Sequence, residues 1–139
     1  MPTLPWSTPK DPPKADKAFV MASRLELRSL RTVPSFFLKS LAAWKQVRRA
    51  PGVLGASLIA QPTKRVFWTL SAWDGRGPLY EYAKTNPHGD IMRGFKPAMR
   101  RSTFVTWTVP TGELPITWDD ARRRLADQVA AEDAGAAAD

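Results

Sequence analysis

Apolar and polar residues alternate in four stretches of the chain, and this pattern predicts four β-strands. The strands cover residues 18–28, 53–61, 65–73 and 102–109. In the third strand both faces are apolar: one carries Val66, Trp68, Leu70 and Ala72, and the other carries Phe67, Thr69, Ser71 and Trp73. One layer of helices covers a single face of a sheet, so the second face requires a further partner.

Between these strands, apolar residues recur every three or four positions, which predicts helices. The first helix begins at Pro34, where the missing N–H removes no hydrogen bond, and Pro51-Gly52 ends it. Its predicted apolar stripe contains Phe37 and Trp44. Further helices are predicted at residues 78–84, from His88 through Phe95, and after the capping residue Thr117.

The order of these elements is βαββαβ with an extra helix, which is the pattern of the ferredoxin-like fold. We therefore predict an α+β domain with a four-stranded antiparallel sheet at residues 18–110. A proline-rich, disordered arm at 1–17 precedes it, and a C-terminal helix at 111–132 and a frayed tail at 133–139 follow it. Two copies could cover the second sheet face by pairing their sheets face to face in a homodimer. Alternatively, the C-terminal helix or the arm with Trp6 could embrace the partner.

Composition narrows the functional classes. The 139 residues are 43% hydrophobic and 24% charged, as in globular proteins. No apolar run approaches the ~20 residues of a membrane span, and the N-terminus lacks the apolar centre of a signal peptide, so we expect a cytoplasmic protein without membrane contact. The absence of cysteine excludes disulfides and thiolate sites, and the single histidine excludes a multi-histidine metal site within one chain.

The net charge of +8 is unevenly distributed. Residues 1–112 hold 18 basic and 6 acidic side chains, a difference of +12, whereas residues 113–139 hold 3 and 7, a difference of −4. A basic body suggests an anionic ligand, although a solvated surface explains it as well. A nucleic-acid-binding module is disfavoured, because the third strand lacks the glycine–aromatic signature of the RNA-recognition motif.

Several short segments bear a family resemblance. They are Ser23-Arg24-Leu25-Glu26-Leu27, Pro51-Gly52-Val53-Leu54-Gly55-Ala56-Ser57, Leu70-Ser71-Ala72-Trp73, and the helix with Tyr82 followed by Asn86-Pro87-His88. In these segments and in element order, residues 18–109 resemble the antibiotic biosynthesis monooxygenase-like and spheroidene monooxygenase-like dimeric α+β barrels. The resemblance implies a homodimer with a pocket between sheet and helices in each subunit. Members oxidise aromatic substrates with O2, some without a cofactor, or bind haem there.

The haem-degrading branch of this superfamily uses an asparagine, a tryptophan and a histidine. By resemblance, these positions fall at Ser23, at Tyr82 and near Met92, so the sequence departs from that branch at all three. Two alternatives therefore remain: the protein works without a cofactor, or it binds haem. His88 is a metal ligand only in the second case.

His88, Tyr82 and Trp73 are the candidate catalytic residues, since the sole histidine follows the aromatic end of the third strand. A histidine at a helix start tends to stay neutral and can act as a base, although a surface histidine bonded to backbone or water fits the same position. Candidate substrate-binding residues are Ser23, Arg24, Tyr80, Met92, Arg93 and Phe95. The aromatic residues among them could instead pack in the core, and the basic residues could instead lie on the solvated surface.

These observations predict a monooxygenase-like protein that binds a small aromatic or anionic molecule, or haem, and oxidises it with O2. A non-catalytic, dimeric ligand-binding protein of the same fold is the alternative, and a nucleic-acid-binding module is the less favoured one.

Overall fold

The computed structural model describes residues 3–7, 16–85 and 88–138. Within them the strands are β1 (Thr3–Ser7), β2 (Lys17–Leu27), β3 (Val53–Gln61), β4 (Val66–Trp73) and β5 (Met99–Pro110). The helices are α1 (Val33–Arg48), α2 (Arg76–Lys84), α3 (His88–Phe95) and α4 (Trp118–Ala138). None of these helices has both the length and the apolar character needed to cross a membrane.

The strands form one antiparallel sheet in the order β1-β3-β4-β2-β5. The predicted four-stranded ferredoxin-like core is confirmed as β3-β4-β2-β5, with β2 and β4 at its centre. β4 is a central strand, and six of its eight residues, from both faces, are buried, as its two-sided apolar pattern requires.

β1 adds a fifth strand at the edge next to β3, which corrects the expectation of a disordered arm for residues 3–7. Proline is tolerated in such an edge strand, since one side of it makes no ladder hydrogen bonds. The side chain of Trp6 packs directly over Gly55 of β3. Residues 8–15 of the predicted arm, and Asn86-Pro87 of the quoted motif, lie outside the described residues.

Helices α1, α2 and α3 cover one face of the sheet. Phe36 of α1 is buried and meets Phe67 of β4 edge to face, with 4.7 Å between ring centroids. The buried side of α1 is therefore centred on Phe36 and Val47, whereas the predicted stripe placed Phe37 there; Phe37 is only half-buried. Gly52 turns the chain from α1 into β3 with a positive φ of 81°, and a Cβ on it would collide with Pro78.

Helix α4 and Trp6 cover the other face of the sheet. Ala121 and Leu125 of α4 are fully buried in a cluster with Val20 and Leu70, and Trp118 Nε1 donates a hydrogen bond of 3.0 Å to Ser57 Oγ. The face that was predicted to need a second copy is thus covered from within the chain, and the homodimer stays a prediction.

The cap of α4 was predicted correctly, whereas its end was not. Thr117 Oγ accepts a hydrogen bond of 3.2 Å from the backbone N–H of Asp120, so Thr117 is the N-cap. The helix continues to Ala138, past the predicted limit at 132 and through the segment expected to fray. Alanine is the strongest helix former, which is consistent with this extension.

Candidate active site

A small cavity of about 90 Å³ lies between the sheet and the helices α1 and α3. Most of its wall is apolar, with Met21, Trp44 and Met92 among the large side chains. The polar side chains in the wall are Ser40, Thr69, Ser71, Tyr82 and His88. Ser57 also borders the cavity, but its hydroxyl is bonded to Trp118 on the other face of the sheet. His88 is the ionisable group with the lowest ordinary pKa in this wall, so it is the natural candidate for proton transfer.

The tautomer of His88 follows from its surroundings. Nδ1 lies 2.9 Å from the carbonyl oxygen of Ala83. A carbonyl oxygen only accepts, so Nδ1 carries the hydrogen and Nε2 keeps its lone pair in the neutral ring. Burial lowers the pKa of His88, and the bond to Ala83 opposes that effect in part. At neutral pH the imidazole is therefore uncharged and Nε2 can accept a proton.

Gln46 of α1 holds the backbone at this point. Its Oε1 accepts a hydrogen bond of 2.8 Å from the backbone N–H of His88, and its Nε2 donates one of 3.1 Å to the carbonyl oxygen of Thr85. The amide thus ties α1 to the junction of α2 and α3. Sequence reasoning missed Gln46 as a site residue; the only signal was a polar residue beside the apolar stripe of an amphipathic helix.

The three candidate catalytic residues are stacked in a row. The ring of Tyr82 lies 4.6 Å from that of His88 and 5.3 Å from that of Trp73. The Tyr82 hydroxyl donates a hydrogen bond of 3.2 Å to the carbonyl oxygen of Ala43, and burial raises the pKa of Tyr82, so the phenol stays protonated. Trp73 is completely buried behind Tyr82, outside the cavity wall, and its Nε1 donates to Ser71 Oγ at 2.8 Å.

Two of the predicted substrate-binding residues are near the cavity. Met92 of α3 forms part of the wall. Ser23 is buried in β2, and its hydroxyl is hydrogen-bonded to the hydroxyl of Thr69, which lines the cavity. Ser23 can therefore act on a ligand only through Thr69.

The other four predicted substrate-binding residues lie elsewhere. Arg24 is on the opposite face of the sheet, over the ring of Trp68. Tyr80 is 58% exposed on α2, Arg93 is an exposed partner of Asp90, and Phe95 packs edge to face on Phe36 with 5.0 Å between centroids. On β2 the alternation of side chains already separates Arg24 from Ser23, whereas the helical positions depend on which side of each helix packs against the sheet.

The cavity does not fit haem. Pockets for drug-sized ligands usually measure about 300–1,000 Å³, and the volume here is about 90 Å³.

No family model matches the sequence, and no curated protein matches it. Solved structures do match. SnoaB, a cofactor-independent oxygenase from Streptomyces nogalater, superimposes with a TM-score of 0.55 at 11% identity, over 68% of this chain and 94% of its own. An antibiotic biosynthesis monooxygenase superimposes with a TM-score of 0.58 at 13% identity, over 64% of this chain and 95% of its own. A conserved protein from Methanosarcina mazei superimposes with a TM-score of 0.58 at 10% identity, over 66% of this chain and 92% of its own. The chain therefore has the fold of the antibiotic biosynthesis monooxygenases, as its sequence predicted.

Proposed function

We propose that the protein is a cofactor-independent oxygenase of the monooxygenase-like type, acting on a small phenolic or hydroquinone substrate. The observation that carries this proposal is His88 in the wall of a mainly apolar cavity, with its Nδ1 bonded to the Ala83 carbonyl oxygen and its pKa lowered by burial. The cofactor-independent oxygenase SnoaB, which shares the fold, adds support.

In the proposed reaction, Nε2 of His88 takes the phenolic proton, and the negative charge is delocalised onto a ring carbon. This carbanion gives its electrons to O2. When a ring C–H ortho or para to the ionised hydroxyl becomes a carbonyl, one oxygen atom of O2 forms the new C=O bond, and the other leaves as water with the hydrogen of that carbon and the phenolic hydrogen held by His88. The substrate itself supplies all four electrons, so the equation balances without a further reductant.

Substrate entry requires the cavity to widen. An engineered apolar cavity of about 150 Å³ holds benzene, whereas this one measures about 90 Å³. Met21 and Met92 line it, and their flexible, unbranched side chains can move with less steric cost than a branched residue. We therefore expect the cavity to accept a single aromatic ring rather than a large polycyclic ligand.

The test is oxygen uptake by the purified protein with a panel of phenols and hydroquinones. Replacing His88→Gln removes the base but retains a side chain of similar size and polarity. Loss of a general base typically costs about 10²–10⁴-fold in rate, so we expect oxygen uptake to fall by that factor while the melting temperature changes little.

Tyr80→Phe is the matched control, because Tyr80 is an exposed aromatic residue outside the cavity. Its oxygen uptake should equal that of the wild type. Equal rates in wild type and His88→Gln would contradict the proposed role of His88.

The alternative is a non-catalytic ligand-binding protein. It is favoured by the cavity hydroxyls of Ser40, Ser71 and Tyr82, each of which already has a hydrogen-bond partner in the chain. Under this alternative, phenols raise the melting temperature but no oxygen is consumed. His88→Gln then weakens the binding of phenols, and neither protein shows oxygen uptake.

A homodimer remains part of the proposal. Since α4 and Trp6 already cover the second sheet face, two copies would have to associate through another surface or exchange α4. Sedimentation velocity of the intact protein at micromolar concentration tests this, and a single monomeric species would contradict it.

A further inference from the structure

A second and larger cavity lies on the opposite side of the sheet, between β2, β5 and α4. Its volume is about 560 Å³, within the range of about 300–1,000 Å³ that is usual for small-molecule sites. Four arginines line it, Arg24, Arg100, Arg101 and Arg122, together with Glu26 and Trp68. The sheet separates this cavity from His88, so nothing proposed above uses it.

Trp68 orients two of the four arginines. The guanidinium carbons of Arg24 and Arg122 lie 5.4 Å and 5.2 Å from the centre of the Trp68 ring. The indole is itself held in place, because its Nε1 donates a hydrogen bond of 2.7 Å to Gln61 Oε1. Stacking of a guanidinium on an aromatic ring uses the flat face of the group and leaves its N–H donors available in the plane.

The acidic groups of this cavity do not balance its basic ones. Glu26 is shared, at 3.6 Å from Arg24 and 3.5 Å from Arg100, and these distances exceed those of a good charge-assisted hydrogen bond. Arg101 is paired separately with Glu132 and Asp133 of α4. Arg122 has no acidic partner within the described part of the chain, so Arg24, Arg100, Arg122 and Glu26 together carry a formal charge of +2.

Arg122 also has a buried donor without a partner. Its Nε is inaccessible to solvent and makes no hydrogen bond. A buried donor of a charged group that remains unpaired is costly, and native proteins usually pair such groups with protein, water or a ligand. An anion in the cavity would reduce the repulsion between the arginines, and a small movement of the Arg122 side chain toward that anion would give its Nε an acceptor.

From these observations we propose that this cavity binds a small organic anion, most suitably a dianionic phosphate ester, with Arg24, Arg100 and Arg122 as its ligands. The charge of +2 matches a phosphate monoester dianion. The planar forks of guanidinium groups match the oxygens of a phosphate, and the volume leaves room for the organic part.

The experiment is titration calorimetry of the full chain with phenyl phosphate. Phenyl phosphate should bind, with an affinity that falls as salt concentration rises. Arg122→Gln removes the charge and the Nε donor but keeps a helix-forming polar residue. Because hydrogen bonds to charged groups are strong, we expect affinity for phenyl phosphate to fall about tenfold or more.

Arg123→Gln is the matched control, because it removes the same charge from the next residue of α4 and Arg123 does not line the cavity. Its affinity for phenyl phosphate should stay within about twofold of the wild type. Equal losses in the two variants would show attraction by overall charge and overturn the proposal, and so would an absence of binding by the wild type.

Two further measurements distinguish this site from the His88 cavity and from a nucleic-acid surface. His88→Gln should leave phenyl phosphate binding unchanged, so failure of the oxygenase proposal does not affect this one. A single-stranded oligonucleotide should bind more weakly than phenyl phosphate. Tight oligonucleotide binding that Arg122→Gln and Arg123→Gln reduce equally would instead indicate a nucleic-acid surface and overturn the small-molecule site.

Discussion

His88 is half-buried and neutral at the start of α3, and its protonation therefore links pH to the stability of the fold. The unfolded chain binds a proton at the ordinary histidine pKa of about 6.5, and burial lowers the pKa of His88 in the folded chain. Between these two values the unfolded state holds more protons than the folded state. Stability consequently rises with pH across that interval and falls on acidification.

We expect this dependence to be visible in urea unfolding measured from about pH 5 to pH 8, the interval in which histidine titrates. The wild type should lose stability as the pH falls below about 6.5. In His88→Gln the loss over the same interval should be smaller, because the titrating group is gone. Identical pH profiles would show that His88 is not responsible.

The three stacked residues could be recognised from sequence because they follow one another within 16 positions, from Trp73 to His88. A strand end, a tight turn and a short helix leave few ways to separate them. Gln46 could not be recognised in this way, since its partner His88 lies 42 residues away and only the tertiary fold brings them together. The assignment of Arg24 failed for a different reason: neighbouring residues of a strand lie on opposite faces, so Ser23 and Arg24 could not both face the His88 cavity.

At the scale of elements, the contact between α2 and α3 depends on Gly89. A Cβ at this position would lie 2.7 Å from the carbonyl oxygen of Lys84, which is backbone and cannot rotate away. Gly89→Ala should therefore push α3 away from α2 and move His88. We expect a destabilisation of about 1–3 kcal/mol, measured by urea unfolding, and reduced oxygen uptake.

Gly94 in the same helix provides the control, because a Cβ there meets no atom within 4 Å. Gly94→Ala should be neutral or stabilising by up to about 1 kcal/mol, as alanine is the better helix former. Equal changes in stability for the two alanine variants would contradict the close α2–α3 contact at Gly89, because helix propensity alone favours alanine at both positions.

The attachment of β1 can be tested in the same way. A Cβ on Gly55 would occupy the position of the Trp6 indole, so Gly55→Ala should displace Trp6 and cost about 1–3 kcal/mol. In a Trp6→Ala background the same substitution should cost much less, since the conflicting ring is absent. Urea unfolding of the four chains forms a double-mutant cycle, and additive effects would contradict the contact.

The main strands and helices were predictable because each has a strong internal period that its neighbours reinforce. The bounds of β3, Val53–Gln61, agree with the strand predicted at residues 53–61. β1 was not predictable, because five residues with a proline carry no strand period of their own. Its conformation depends on pairing with β3, whose partner residues lie more than 45 positions later.

At the scale of the whole molecule, the two-sided pattern of β4 correctly required two covering layers but could not identify the second. An apolar face in the sequence pattern indicates that the face must be buried. The pattern does not indicate whether the same chain or another copy buries it. The narrow apolar face of α4, with Ala121 and Leu125, was visible in the sequence. Only the structure shows it seated on Val20 and Leu70 of its own sheet.

Removing α4 should therefore change the association state of the protein. A chain ending at Glu113 would expose the apolar face that includes Val20 and Leu70, which are now buried against α4. Exposed apolar patches of this kind promote association, so we expect sedimentation velocity to show dimers or larger species where the intact chain shows fewer. A chain ending at Glu132 keeps Ala121 and Leu125 and is the control, with sedimentation like that of the intact chain. If the chain ending at Glu113 stays monomeric with an unchanged melting temperature, α4 does not cover the sheet in solution.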